Sequence, residues 1–150
     1  MKRGRLTKIR SCDVTGLPIV LKGLSEKRLS NGVFRVLKDN VLCSIATVTA
    51  NSRAHINTAY FCYSDELEFY FLSHPGSLHC RNLATNPSVG MTIFSSSQIW
   101  TNPGRGLQVF GSCSQARGRQ ATKVEELYEE RFSAYARWKA TLGKNDPAQE

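Results

Sequence analysis

Three short apolar, β-branched or aromatic runs follow one another between residues 41 and 72, with only a turn between each pair. They are "VLCSIATVT" (41–49), "HINTAYFCY" (55–63) and "LEFYFL" (67–72), separated by "ANSRA" and "SDE". Connections this short cannot carry a crossover, so the strands must pair antiparallel. The first run is nearly all apolar and reads as a buried strand, whereas Leu67, Phe69 and Phe71 alternate onto one face of the third. "SVGMTIF" (88–94) and "LQVFGSCSQ" (107–115) add two more strands, joined by the polar "SSSQIWTNPGRG", of which Gln98 to Thr101 can prolong the first. Five or six such strands remove their edges by closing into a barrel. The expected fold is mainly β, an antiparallel barrel with flanking helices.

The helices come before, between and after the strands. Leu24 to Asn40 opens with Ser25 as a cap and carries Leu29, Val33, Val36 and Leu37 at helical spacing, with Gly32 as its weak point. Ser77 to Ala84 forms a short helix that Pro87 ends. Residues 122–142 read as one amphipathic helix with Val124, Leu127, Tyr128, Phe132, Tyr135, Trp138 and Leu142 on its apolar face. Glutamates crowd its first half and Arg137, Lys139 and Lys144 its end, which suits the helix dipole. The expected organisation is a basic flexible arm over 1–22, one domain over 23–143 and a frayed tail over 144–150.

Composition narrows the function classes. A chain of 150 residues is a single domain with room for a core. No apolar run approaches the 18 or so residues of a membrane span, and "MKRGRLTKIR" has no apolar stretch after its charges, unlike a secretory signal. Cys12, Cys43, Cys62, Cys80 and Cys113 are odd in number and widely spaced, so they read as reduced thiols of a cytoplasmic protein. The net charge of +8 is concentrated in the first ten residues. Its basic residues are not interleaved with aromatics and no recognition motif appears, which argues against nucleic acid. A preference for anionic ligands is what the charge supports.

"SHPGSLHCRNLATNPSVGMTIF" (73–94) places Ser77, His79 and Arg81 at a helix N-terminus, where free backbone N–H groups and the dipole favour an anion. Ser77 can cap the helix, and Arg81 can grip a phosphate with two bonds. The same residues also describe a Ser-capped surface helix with solvated cations, and the local pattern leaves both readings open. A metal site from His74, His79 and Cys80 fails, because residues 79 and 80 point to different helix faces and no fourth ligand has a usual spacing. Cys80 lacks an identifiable base, and no phosphate-binding glycine loop opens a helix.

The order of elements and this junction together resemble the pyridoxamine 5′-phosphate oxidase-like family, the flavin-binding split barrels, from about Leu24 to Trp138. In "GSLHCRNLATNPSVGMTI" the residues Ser77, Arg81, Asn82, Leu83, Asn86, Pro87 and Val89 fit the family's Ser-x-Lys-x-x-Asn-Leu and Asn/Asp-Pro-x-Val pattern. "LCSIATVTANSRAHINTAYF" is similar to its first hairpin, and "LQVFGSCSQ" to its late strand, with Gly111 matching and Cys113 in place of the usual Ala. The closing helix with Tyr128, Arg131, Phe132 and Trp138 also fits.

The resemblance implies an antiparallel split barrel that binds FMN at a homodimer interface. By position it puts Asn57, Thr58, Ala59 and Tyr60 beside the isoalloxazine ring, and Leu72 and Ser73 at the end of the third strand. Ser77, Leu78 and His79 meet the phosphate, with Arg81 nearby, and Gln98, Trp100 and Arg105 reach the cofactor, from the partner subunit if not from the same one. His79 stands where the family has a lysine. The second strand lacks the Arg and Lys of the true oxidases, and the extra C-terminal strands they use for substrate are not expected here, so pyridoxamine phosphate is not the expected substrate. The implied activity is an FMN-dependent oxidoreductase acting on a small molecule. The alternatives are a flavin, deazaflavin or haem binding module without turnover, and a deazaflavin-dependent reductase; a haem would take its axial ligand from His55, His74 or His79.

Overall fold

A computed structural model describes residues 26–99 and 105–142. The arm over 1–22, the tail over 144–150, the cap Ser25 and Trp100 lie outside the described residues. Helix α1 (Glu26–Asp39) leads into strands β1 (Leu42–Val48), β2 (Ala54–Tyr63) and β3 (Phe69–Phe71). Helix α2 (Leu78–Thr85) separates these from β4 (Ser88–Phe94) and β5 (Gly106–Ser112), and α3 (Arg119–Arg131) and α4 (Ser133–Leu142) close the order. The five strands form one antiparallel sheet in the order β3-β2-β1-β4-β5, curled into a half-barrel. Among the described residues β3 and β5 remain its edges, because β3 pairs over three residues only.

Strand alternation builds the core. Cys43, Ile45 and Thr47 of β1, Phe61 of β2, and Met91 and Ile93 of β4 all face inward and are buried. Leu37 of α1 is fully buried among them, and Leu67, Phe69 and Phe71 pack around this cluster as their alternation predicts. The β1–β2 turn is set by Thr49, whose N–H reaches Arg53 O at 2.8 Å while Ser52 takes a left-handed φ of 59°. Cys62 faces the other way and packs under Val124 and Tyr128 of α3. Burial pushes the Cys43 and Cys62 thiols up to about 11, which keeps both protonated and unreactive.

The expected single closing helix is two. Phe132 leaves the helical region at φ −126°, ψ 87° and serves both segments. Its N–H bonds Tyr128 O, while its carbonyl accepts from Tyr135 and Ala136 of α4. Lys139 then contacts Glu125 at 2.8 Å and Glu129 at 2.7 Å. On one straight helix, residues 125 and 139 would stand about 20 Å apart. The acidic and basic halves that looked like a dipole pattern meet across the bend instead.

Two features reach beyond single elements. Arg131 donates from Nη2 to Leu37 O and Asn40 O, both at 2.7 Å, and lies over the rings of Phe61 and Tyr63 at 5.0 and 4.8 Å. It thereby caps the C-terminal end of α1 with a cation. Part of the outward face of the sheet, away from α3, carries an uncovered apolar row. That row runs Ile56, Ala46, Gly90, Phe110 across β2, β1, β4 and β5, and the Phe110 ring lies over Gly90. Ile56 and Phe110 are 69% and 79% exposed, with Tyr60, Phe94 and Leu42 also exposed.

Replacing Arg131 with Met keeps the apolar stem and removes the charge. We expect a loss of roughly 2 kcal/mol or more from two charge-assisted bonds and the ring contacts, read as a lower midpoint in urea unfolding; an unchanged midpoint would show that α1 needs no cationic cap.

Candidate functional site

The site forms where α2 meets β1, β2 and the end of β3. Two turns prepare the helix: Ser77 N donates to His74 O at 2.9 Å, and Gly76 N to His74 Nδ1 at 3.0 Å. Ser77 is the N-cap, extended at φ −65°, ψ 154°, with its Oγ accepting from Cys80 N. The first intrahelical bond runs from Arg81 N to Ser77 O at 3.0 Å, so the amides of Leu78 and His79 stand at the open end of the helix. Asn86 N bonds Asn82 O at 2.7 Å, and Pro87 stops the helix there.

A buried polar chain fixes α2 to the sheet. Asn82 Nδ2 donates to Thr47 Oγ1 at 3.0 Å, and both residues are buried. Thr47 Oγ1 lies 3.4 Å from His55 Nδ1. On the helix side His79 Nε2 lies 2.6 Å from Ser73 Oγ and 3.0 Å from Ser77 Oγ, and the two hydroxyls are 3.1 Å apart. This polar triangle sits beside Phe71 and His55, whose rings lie 5.9 and 6.3 Å from that of His79. Desolvation, then the neighbouring His55, lowers the His79 pKa below its ordinary value. His79 is therefore an uncharged hydrogen-bonding group at neutral pH.

The residues singled out from sequence divide into three groups. Ser73, Ser77 and His79 converge, with Leu78 half-exposed at the helix start. Arg81 stands apart: its Nη1 turns back to Gly76 O. On β2 the alternation separates Asn57 and Ala59, which face inward, from Thr58 and Tyr60, which face out. Asn57 Oδ1 is buried without a partner, and Tyr60 lies edge-on to Phe132 at 5.6 Å. Gln98 and Arg105 lie beyond the far end of β4, about 20 Å of strand away from α2. There Gln98 Nε2 bonds Ser95 O and Arg105 O, and both residues line a hollow with Arg35 and Asp39 of α1. A second hollow, lined by Tyr63, Asp65, Lys123 and Arg131 against α3, contains none of the expected site residues.

Thr47 was not singled out by sequence reasoning. Its signal was a hydroxyl at the inward position of a run whose other inward residues, Cys43 and Ile45, are apolar.

Residues 32–149 match the pyridoxamine 5′-phosphate oxidase family, and the chain belongs to it. No curated protein sequence matches closely enough to count as a relative. Among solved structures it is similar to HutZ, the haem storage protein of Vibrio cholerae, at 20% identity and a TM-score of 0.61 over 70% of this chain and 76% of that one. A conserved hypothetical protein of Mycobacterium tuberculosis gives 18% identity and 0.60 over 73% of this chain and 65% of that one. A haem-binding protein of Mycobacterium smegmatis gives 12% identity and 0.65 over 77% and 48%. The chain thus spans less than two thirds of the length of the last two. These likenesses establish the split-barrel fold. No helix among the described residues is long and apolar enough to cross a membrane.

Because His79 has a lowered pKa in the folded chain, the unfolded chain binds more protons as pH falls through and below about 6.5. The His79 contribution to stability is fully present above that pH and lost on acidification. We expect the thermal midpoint to fall from pH 7.5 to 5, and to fall less in His79→Gln; equal slopes in the two proteins would contradict the assignment.

Proposed function

We propose that this chain binds FMN where β2 meets the open end of α2 and works as a flavin-dependent oxidoreductase on a small molecule. The observation that carries this reading is the convergence of Ser73, Ser77 and His79 on the open end of α2. The donor set fits a phosphate: two hydroxyls, the Leu78 and His79 amides, and a helix dipole of the right sign. Asn57 Oδ1 adds a buried acceptor that lacks a donor, which a ring N–H would supply. What the site lacks is a permanent cation, since His79 is held neutral and Arg81 is bonded within the turn. Bound flavin would supply the hydride or electron transfer. The residues of the chain would orient it, hold its phosphate and exclude water from one side.

The reading requires a homodimer. Gln98 and Arg105 lie past the end of β4 away from α2, which supports their reaching the cofactor from a second copy. The exposed apolar row from Ile56 to Phe110 supports such a contact, since exposed patches of this kind mark association surfaces. We expect Phe110→Asp to convert a dimer to a monomer in light scattering; an unaltered mass would remove this face from the interface.

A second reading is haem. A neutral, part-buried imidazole beside Phe71 is the form in which histidine ligates iron, and His79 is held in that form. Two of the structural neighbours carry haem in their names.

The visible spectrum of the purified protein after adding FMN separates these readings. The two-banded absorption of oxidised flavin co-eluting with protein supports the first, and a Soret band after haem addition the second. Steady bleaching by a nicotinamide donor distinguishes an enzyme from a binding module. Replacing His79 with Lys restores a fixed cation, and a charge-assisted bond exceeds a neutral one by about 1 kcal/mol. FMN affinity should then rise by roughly fivefold to tenfold, and a drop in affinity would refute the phosphate assignment.

A further inference from the structure

The ladder between β2 and β3 has a definite place for its next hydrogen bond. Ser64 N donates to Glu68 O at 3.0 Å, and the partner positions then run Tyr63 with Phe69, Cys62 with Tyr70, and Phe61 with Phe71. Hydrogen-bonded and non-hydrogen-bonded pairs alternate along an antiparallel ladder. Ser64–Glu68 and Cys62–Tyr70 are therefore of the first kind, and Tyr60–Leu72 would be the next. At that place a side chain intervenes. Leu72 N donates to Tyr128 Oη at 3.2 Å, and Tyr128 Oη donates to Tyr60 O. One phenol stands in for one ladder bond and satisfies both backbone groups.

Several observations make this a built feature. Tyr128 is 4% exposed and is gripped by Phe132 and Tyr135 at ring distances of 5.3 and 5.6 Å. Burial pushes its phenol well above the ordinary range, so the proton that bonds Tyr60 O stays in place. Past this point β2 continues to Ala54 with no strand among the described residues on its β3 side. The very next residue after Leu72 is Ser73, whose hydroxyl meets His79 at 2.6 Å.

We propose that Tyr128 is a positioning residue of the site built by Ser73, Ser77 and His79. Its hydroxyl ends strand pairing at Phe71, holds the chain off β2, and so delivers Ser73 to the His79 triangle. Without it, β3 can pair once more with β2, which draws Ser73 toward the strand and away from the triangle. The FMN part of the test rests on the flavin reading; the rest does not.

The test compares the full-length chain with its Tyr128→Phe variant. We expect about a tenfold rise in the Kd for FMN, as for the loss of one well-made polar contact. The His79 titration midpoint, followed by NMR, should move as its Ser73 partner is displaced, while the Leu72 amide should keep its protection from hydrogen exchange, now bonded to Tyr60 O. A lower melting temperature with an unchanged Kd and an unchanged His79 midpoint would make Tyr128 a strut only and overturn the proposal. If the unaltered chain takes up no FMN, the flavin reading fails, and the His79 midpoint alone then decides for or against Tyr128. If the Phe variant does not fold, amide exchange in the unaltered chain decides. Protection at Leu72 but not at Ser73 supports the proposal, and equal fast exchange at both overturns it.

Discussion

The bond from Asn82 Nδ2 to Thr47 Oγ1 decides where the site is. Helix α2 has eight residues, too few to be stable alone in water. Its apolar contact with the sheet is small, so a polar tether has to set its position. Both partners are buried, and removing either leaves the other unpaired at a cost of about 1–3 kcal/mol. That is comparable to the capping contribution of Ser77, about 1 kcal/mol. The tether and the cap act on the same element from opposite sides. Together they fix the open end of α2 beside Phe71 and His55, which is where Ser73 and Ser77 can share His79.

The electrostatics of the triangle follow from that placement. His79 is close enough to His55 and sufficiently desolvated that its charged form is disfavoured. A lysine at the same position would remain charged and bring a cation that does not titrate near neutrality. An anion placed here would therefore rely on hydroxyls, amides and the dipole, whose contributions near a helix end are of order 0.3–1 kcal/mol. An anion bound here would itself favour the protonated imidazole, so affinity and the His79 titration are coupled.

Much of this was legible in the sequence. Short turns at 50–54 and 64–66 forced antiparallel pairing, and the alternation of Leu67, Phe69 and Phe71 identified the core face correctly. Ser77 and Pro87 marked the ends of α2 to within a residue. The break at Phe132 was not legible, because the periodicity of α3 and α4 runs through it without a glycine or proline. It is visible only once Lys139 meets Glu125 in space. The residues 57–60 are consecutive in a strand that sends neighbours to opposite faces, so one ligand could touch all four only through backbone as well as side chains. The role of Tyr128 was hidden for a different reason. Helical spacing marks its ring as core, and only the register of two distant strands shows what its hydroxyl does.

Strand β2 is the member on which these demands meet. Its inward side chains complete the core through Phe61, and its outward ones divide between α3, which covers Cys62, and the uncovered face that carries Ile56. Its first half also presents a backbone edge that β3 does not reach. A barrel that zipped this edge shut would gain ladder bonds of about 1 kcal/mol each. The present chain forgoes them, and the groups at the split are not left bare, because a buried phenol takes the place of the first missing bond. That arrangement lets the sheet open at one fixed residue with the first pair of freed groups satisfied. The opening faces the only helix end in the described structure where two serine hydroxyls and an imidazole converge.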